Sequence, residues 1–235
     1  MKFKMQVNVI GLLLAFVLMA CSTPAQPSVS QSETASSAVV KTAASNKAAY
    51  SGTKIIFLGD SLTAGYGLPT EQAWPEQVRK RLKSAGYSIQ IINAGVSGDN
   101  TANGLARYDW SVGSVEADML VLALGANDFL QGVSPQTMRQ NLDAIVKRAQ
   151  ADDLTIILAG IEASNIEALG PRGAAYASVY PDLAKEYNLS YFPSMLKGVS
   201  GNPELLQTDG LHPTRAGVEV MAERFALHIS EVLDK

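Results

Sequence analysis

From Lys54 onward the chain carries short apolar runs at 55–58, 89–92, 119–124 and 155–159, with a weaker one at 190–192. Each is bounded by turn-forming residues. This feature restricts the fold more than any other. A strand wetted on one face alternates apolar and polar residues, whereas a near-continuous apolar run belongs to a strand buried on both faces. Between the runs the spacing turns helical. Trp74, Val78 and Leu82 recur at steps of four, and Gly86 follows as a helix end. Ser134-Pro135 reads as an N-cap followed by proline at the first helical position. Thr214 is placed to cap a last helix in which Val218, Met221, Ala222, Phe225 and Ile229 line one face. Tyr180-Pro181 is expected to interrupt the fourth helix. Buried strands alternating with helices imply an α/β fold, a parallel sheet covered on both sides. No internal repeat or second domain is evident.

The first fifty residues follow other rules. Lys2 and Lys4 precede an apolar stretch, 9–20, too short to span a bilayer comfortably and suited to the core of a signal peptide. It ends in Leu18-Met19-Ala20-Cys21, which resembles the lipobox of bacterial lipoproteins, where the cysteine is lipidated and becomes the new N-terminus. The alternative is a plain secretory signal with an incidental cysteine. Residues 22–50 are rich in Ser, Thr, Ala, Gln and Pro without an apolar period, and such a stretch buries too little to offset its ordering entropy. The expected organisation is a lipoprotein signal peptide at 1–20, a flexible tether at 21–50 and a single folded domain at 51–235. Ser22 after the cysteine is compatible with a bacterial-envelope destination, the periplasmic face of an outer membrane where the host has one.

Composition narrows the function classes. The net charge of -3, without a Lys/Arg stripe, offers nothing to nucleic acid. One cysteine permits no intrachain disulfide. The two histidines, His212 and His228, do not fall at metal-ligand spacing with it, so no metal is expected.

In a parallel sheet of this kind function collects at the carboxyl ends of the strands. Three of those ends carry unusual residues: Gly59-Asp60-Ser61, the segment Asn93-Ala94-Gly95-Val96-Ser97-Gly98-Asp99, and Gly125-Ala126-Asn127-Asp128. A late segment, Asp209-Gly210-Leu211-His212-Pro213, follows the last strand. Ser61 is either a helix cap or a nucleophile. A phosphate loop is excluded because its Gly-Lys-Ser/Thr pattern is absent. A flavin site lacks the aromatic pair expected around the ring.

A nucleophilic serine needs a base and a group that orients the base. His212 sits three residues after Asp209, so one loop can deliver imidazole and carboxylate together. His228 falls beside the apolar row of the last helix and reads as a flanking residue. An oxyanion needs donors fixed in advance. Gly98 can bring its N–H close to a substrate, Asn127 can offer its amide, and Ser61 its own N–H. Taken singly, Gly98 also reads as a turn residue and Asn127 as a stabiliser of its own loop.

The blocks "GDSLTAGYG", "NAGVSGD", "GAND" and "DGLHP" together resemble the SGNH (GDSL) hydrolases, over essentially Lys54 to the C-terminus. The likeness is greatest to the branch of thioesterase I/lysophospholipase L1 and the bacterial arylesterases, helped by "GLARYDW" and "YPDLAKEYN". The resemblance implies a three-layer α/β/α, flavodoxin-like fold around a five-stranded parallel sheet, with no metal or organic cofactor. It implies Ser61 as nucleophile, His212 as base, Asp209 as its orienting partner, and Ser61, Gly98 and Asn127 as oxyanion donors. The branch usually has Gly-Gly-Asn-Asp where this chain has Ala126 in second place. Alanine there costs roughly 1 kcal/mol if the position needs positive φ, and its methyl could narrow the acyl site.

The expected activity is hydrolysis of a small-molecule carboxylic ester or thioester through an acyl-enzyme, with the membrane engaged through lipidated Cys21. A short-chain acetylesterase acting on carbohydrate or aryl acetates is the alternative, and a non-catalytic anchored binding module a more distant one. Segments 129–133, 161–171 and 192–206 are rich in Leu, Ile, Phe and Met; they either line an acyl pocket or simply cover the sheet.

Overall fold

Trp74, Val78 and Leu82 form one fully buried stripe of a helix because the four-residue step brings them round to the same face. They pack on Ile55 and Phe57 of the first strand and on Phe225 and Ile229 of the last helix. Ile56 and Leu58, alternating with those strand residues, point the other way and meet Leu142, Ile145 and Val146. One apolar strand therefore feeds two cores, and the sheet is the middle of three layers.

In the computed structural model, residues 52–161 and 170–235 are described. The leader, Cys21 and the tether lie outside the described residues, as do 162–169 of the segment expected at 161–171. Among the described residues five strands form one parallel sheet: β1 (Thr53–Gly59), β2 (Ile89–Gly95), β3 (Met119–Ala123), β4 (Thr155–Ala159) and β5 (Ser190–Phe192). Their order is β2-β1-β3-β4-β5. This is the doubly wound, flavodoxin-like arrangement, and the chain reverses direction across the sheet between β1 and β3. Gly59 stands beside Gly95 and Ala123 in register, so β1, β2 and β3 end level and their following loops share one edge.

The helices are α1 (Ser61–Ala64), α2 (Trp74–Ser84), α3 (Thr101–Ala106), α4 (Ala126–Gln131), α5 (Pro135–Ala151), α6 (Gly170–Ala177), α7 (Val179–Glu186) and α8 (Arg215–Leu233). Ser134 caps α5 by accepting from Thr137 N–H, and Thr214 caps α8 by accepting from Gly217 N–H. The end of α2 is closed by Gly86 N–H on Lys83 O and Tyr87 N–H on Leu82 O, the paired bonds of a Schellman turn. The break expected at Tyr180-Pro181 falls one turn earlier, at Ser178, between α6 and α7. Pro181 has no N–H to give the carbonyl of Ala177, so it ends the preceding helix while sitting comfortably in the first turn of the next. No helix of the described residues is long and apolar enough to cross a membrane.

Candidate active site

β1 ends at Gly59 and the chain turns at once into α1. Asp60 caps that helix: its Oδ1 accepts from Leu62 N–H at 3.0 Å. Ser61 is thus the first helical residue and not the cap, and its hydroxyl is left for another partner. That partner is His212, whose Nε2 lies 2.8 Å from Ser61 Oγ. His212 Nδ1 lies 2.7 Å from Asp209 Oδ2. The other carboxylate oxygen, Oδ1, accepts from Leu211 N–H at 2.9 Å and from His212 N–H at 3.0 Å.

These bonds fix the proton inventory. The backbone N–H of His212, its imidazole and the N–H of Leu211 together hold the Asp209 carboxyl down at about 2. An ionised carboxylate only accepts, so Nδ1 carries a proton, and in the neutral imidazole Nε2 then turns its lone pair toward Ser61. The loop is tied down on both sides. Gln207 N–H donates to His212 O at 2.7 Å, and Gln207 Nε2 donates to Tyr66 O at 2.8 Å and Pro213 O at 2.9 Å. The Tyr66 ring covers the imidazole at a centroid distance of 4.4 Å.

Gly98 and Asn127 line the same cavity as Ser61 and His212. Gly98 has φ +90°, a conformation that favours glycine. Asn127 Nδ2 donates to Asp99 O at 2.9 Å, which steadies the amide against the Gly98 loop. An amide nitrogen has two protons, and this bond uses one. The N–H of Ser61, at the first position of α1, has no acceptor within its own helix.

The alanine of Gly125-Ala126-Asn127-Asp128 carries no backbone strain. Positive φ falls on Gly125, at +130°, the residue before it, and a Cβ there would meet Tyr180 Oη at 2.2 Å. Ala126 instead opens α4 and lines the cavity.

The cavity holds about 550 Å³ and its lining is mainly apolar. Phe129, Leu130, Ile161 and Leu196, from the three segments singled out in the sequence, face it. Phe192 and Val199, from the same segments, are buried under α8 and do cover the sheet. A whole wall had no sequence signal: Gly173, Tyr176 and Ala177 of α6 face the cavity. Tyr176 donates to Val133 O, and Arg172 donates to Phe129 O at 2.7 Å while stacking on the Phe129 ring at 4.6 Å. α6 is thereby fastened to α4 and to the turn that follows it.

Asp60 is 1% exposed, and burial pushes its carboxyl up to about 6. Its Oδ2 is buried without a hydrogen-bond partner. His228 sits apart, 3.0 Å from Ser190 Oγ and between Phe192 and Phe225, where burial lowers its pKa. Among the described residues no three His, Cys, Asp or Glu side chains are placed to hold a metal ion.

Comparison with known proteins agrees with this arrangement. A family model described as "GDSL-like Lipase/Acylhydrolase family" matches residues 57–220. The chain is 36% identical over 163 residues to Esterase TesA of Pseudomonas aeruginosa, covering 69% of this chain and 80% of the relative. It is 31% identical over 181 residues to Thioesterase 1/protease 1/lysophospholipase L1 of Escherichia coli K12, covering 77% and 85%. Among solved structures, the psychrotrophic esterase EstA from Pseudoalteromonas sp., inhibited by monoethylphosphonate, superposes with a TM-score of 0.72 at 29% identity, over 78% of this chain and all of that one.

Proposed function

The chain belongs to the GDSL-like lipase/acylhydrolase family and hydrolyses esters, and we propose that it does so through an acyl-enzyme on Ser61. The observation that carries this reading is the continuous line of short contacts from Asp209 Oδ2 through the two ring nitrogens of His212 to Ser61 Oγ. Ser61 Oγ adds to the acyl carbonyl while His212 Nε2 takes the hydroxyl proton. The charge that forms on the carbonyl oxygen is met by N–H groups of Ser61 and Gly98 and by the amide of Asn127, donors already fixed before the reaction. Asp209 stabilises the imidazolium without taking its proton. As the tetrahedral centre collapses, the imidazolium protonates the departing alcohol or thiol. Water, deprotonated by the same imidazole, then adds to the acyl carbonyl, and the imidazolium gives its proton to Ser61 Oγ as the acid departs.

The mainly apolar cavity beside Ser61 supports acyl chains longer than acetyl, in aryl esters, thioesters or lysophospholipids. One observation favours a second reading, a short-chain acetylesterase: an alanine, Ala126, lines the cavity. Rates on p-nitrophenyl esters from acetyl to dodecanoyl separate the two. Rates rising with chain length support the first, and rates confined to acetyl and butyryl support the second. Ser61→Ala should lower kcat by about 10⁴-fold or more. Activity surviving that change overturns the mechanism.

The segment Leu18-Met19-Ala20-Cys21 supports lipid anchoring at Cys21, with the enzyme on the periplasmic face of an outer membrane in a host that has one. Cys21→Ser should abolish labelling by fatty acid and move the protein out of the membrane fraction. Retention of label would disprove the anchor.

A further inference from the structure

Arg107 is buried between the loops that follow β1 and β2, with its side chain 7% exposed. A guanidinium is costly to bury, and this one is matched by an acceptor at each nitrogen. Nε donates to Asp99 Oδ2 at 2.6 Å, Nη2 to Gly59 O at 3.0 Å and Nη1 to Ser111 Oγ at 3.0 Å. Two of the acceptors, Gly59 and Asp99, belong to the reacting edge. Gly59 stands two residues before Ser61, and its carbonyl also accepts Val96 N–H at 3.0 Å. Asp99 follows Gly98 directly, and its backbone carbonyl holds Asn127 Nδ2 at 2.9 Å.

From this pattern we infer that Arg107 is a positioning residue that sets the mutual spacing of the three oxyanion donors. Its planar fork reaches the nucleophile turn and the Gly98 loop at once, and through Asp99 it reaches Asn127. Lysine would keep a charge beside Asp99 but, as a point donor on a flexible stem, could not hold the same angles. The groove that receives the acyl chain lies against α4 and α6, and Arg107 is not among the residues that line it. Losing the fork should therefore weaken the transition state and leave ground-state binding nearly unchanged.

This inference rests on the acyl-enzyme reading, and the test keeps the two apart. Arg107→Lys and the gentler Asp99→Asn are compared with wild type and Ser61→Ala on one p-nitrophenyl ester, well below each variant's melting temperature. Misplacement of a reacting geometry by about 1 Å costs on the order of 100-fold. Arg107→Lys should lower kcat by about that factor with KM within about twofold, and Asp99→Asn should lower it less. In an Asn127→Ala background the Arg107→Lys loss should shrink to under about tenfold, because a donor it positions is already gone. A full and undiminished loss in that background, or folded Arg107→Lys with wild-type kcat, overturns the positioning role. An active Ser61→Ala would instead overturn the acyl-enzyme reading itself.

Discussion

Replacing Asp60 by asparagine should stabilise this protein, and by an amount that depends on pH. Asparagine caps helices as well as aspartate does, so the bond to Leu62 N–H survives. What changes is the charge. Burial raises the Asp60 carboxyl from 3.8 to about 6 in the folded protein. That displacement corresponds to about 3 kcal/mol. Below pH 3.8 the carboxyl is protonated in both folded and unfolded chains, and ionisation costs the fold nothing. As pH rises from there, the unfolded chain loses its proton first, so the wild type loses stability until about pH 6, where the folded carboxyl ionises too. The gap between variant and wild type should therefore be near zero at acid pH, open between those limits, and level off at about 3 kcal/mol, or about 6–12 °C in Tm. Paired urea titrations at a series of pH values measure the gap directly, since ionisable groups that do not interact with Asp60 cancel in the difference. A gap that does not change with pH would refute the argument, because it would mean that Asp60 is not a strained anion in the folded state.

Asp209→Asn should lower kcat by about 10⁴-fold with little change in KM, because the amide turns the wrong imidazole nitrogen toward Ser61; a loss under tenfold in stopped-flow assays would contradict the geometry. The stabilisation that Asp209 gains from its hydrogen bonds is present above pH 3.8 and fades as pH falls through about 2, so acid unfolding of Asp209→Asn should lack that step. Ala126→Gly should bring no gain in Tm, since positive φ is carried by Gly125. It should speed hydrolysis of longer esters relative to short ones; identical rates on both would show that the methyl does not limit the groove. Phe225→Ala removes a fully buried ring packed edge-on to Phe57, Trp74 and Phe192, and should cost about 3–5 kcal/mol by denaturant unfolding.

The sheet could be read from the sequence because β3 and β4 are buried on both faces, and only an unbroken apolar run serves that environment. The pairing of Asp209 with His212 could be read because both sit on one short loop, but that spacing is common in loops and took the other three blocks to single it out. The role of Asp60 was not. Asp and Ser are both good N-caps, and which of two neighbours caps depends on a single backbone turn. The wall formed by α6 was hidden for a different reason. Gly173 and Ala177 leave room by being small, and small residues have no periodicity that distinguishes a lining from a surface. Arg107 was visible within "GLARYDW" without any sign that it ties the reacting edge together, because its acceptors there lie 8 and 48 residues away.

The bond between His212 and Ser61 joins residues 151 positions apart. Contacts of such separation carry a large loop-closure cost and tend to form late in folding. A chain that has assembled β1, β2 and β3 already holds its nucleophile and the donors around it, yet stays chemically silent until the segment leading into α8 docks. Esterase activity thus reports the docking of that segment, and it should appear together with closure of the Trp74 environment, because Trp74 packs on Phe225 of α8. A molecule cut short before residue 209 lacks the base and its orienting carboxylate and cannot hydrolyse an ester.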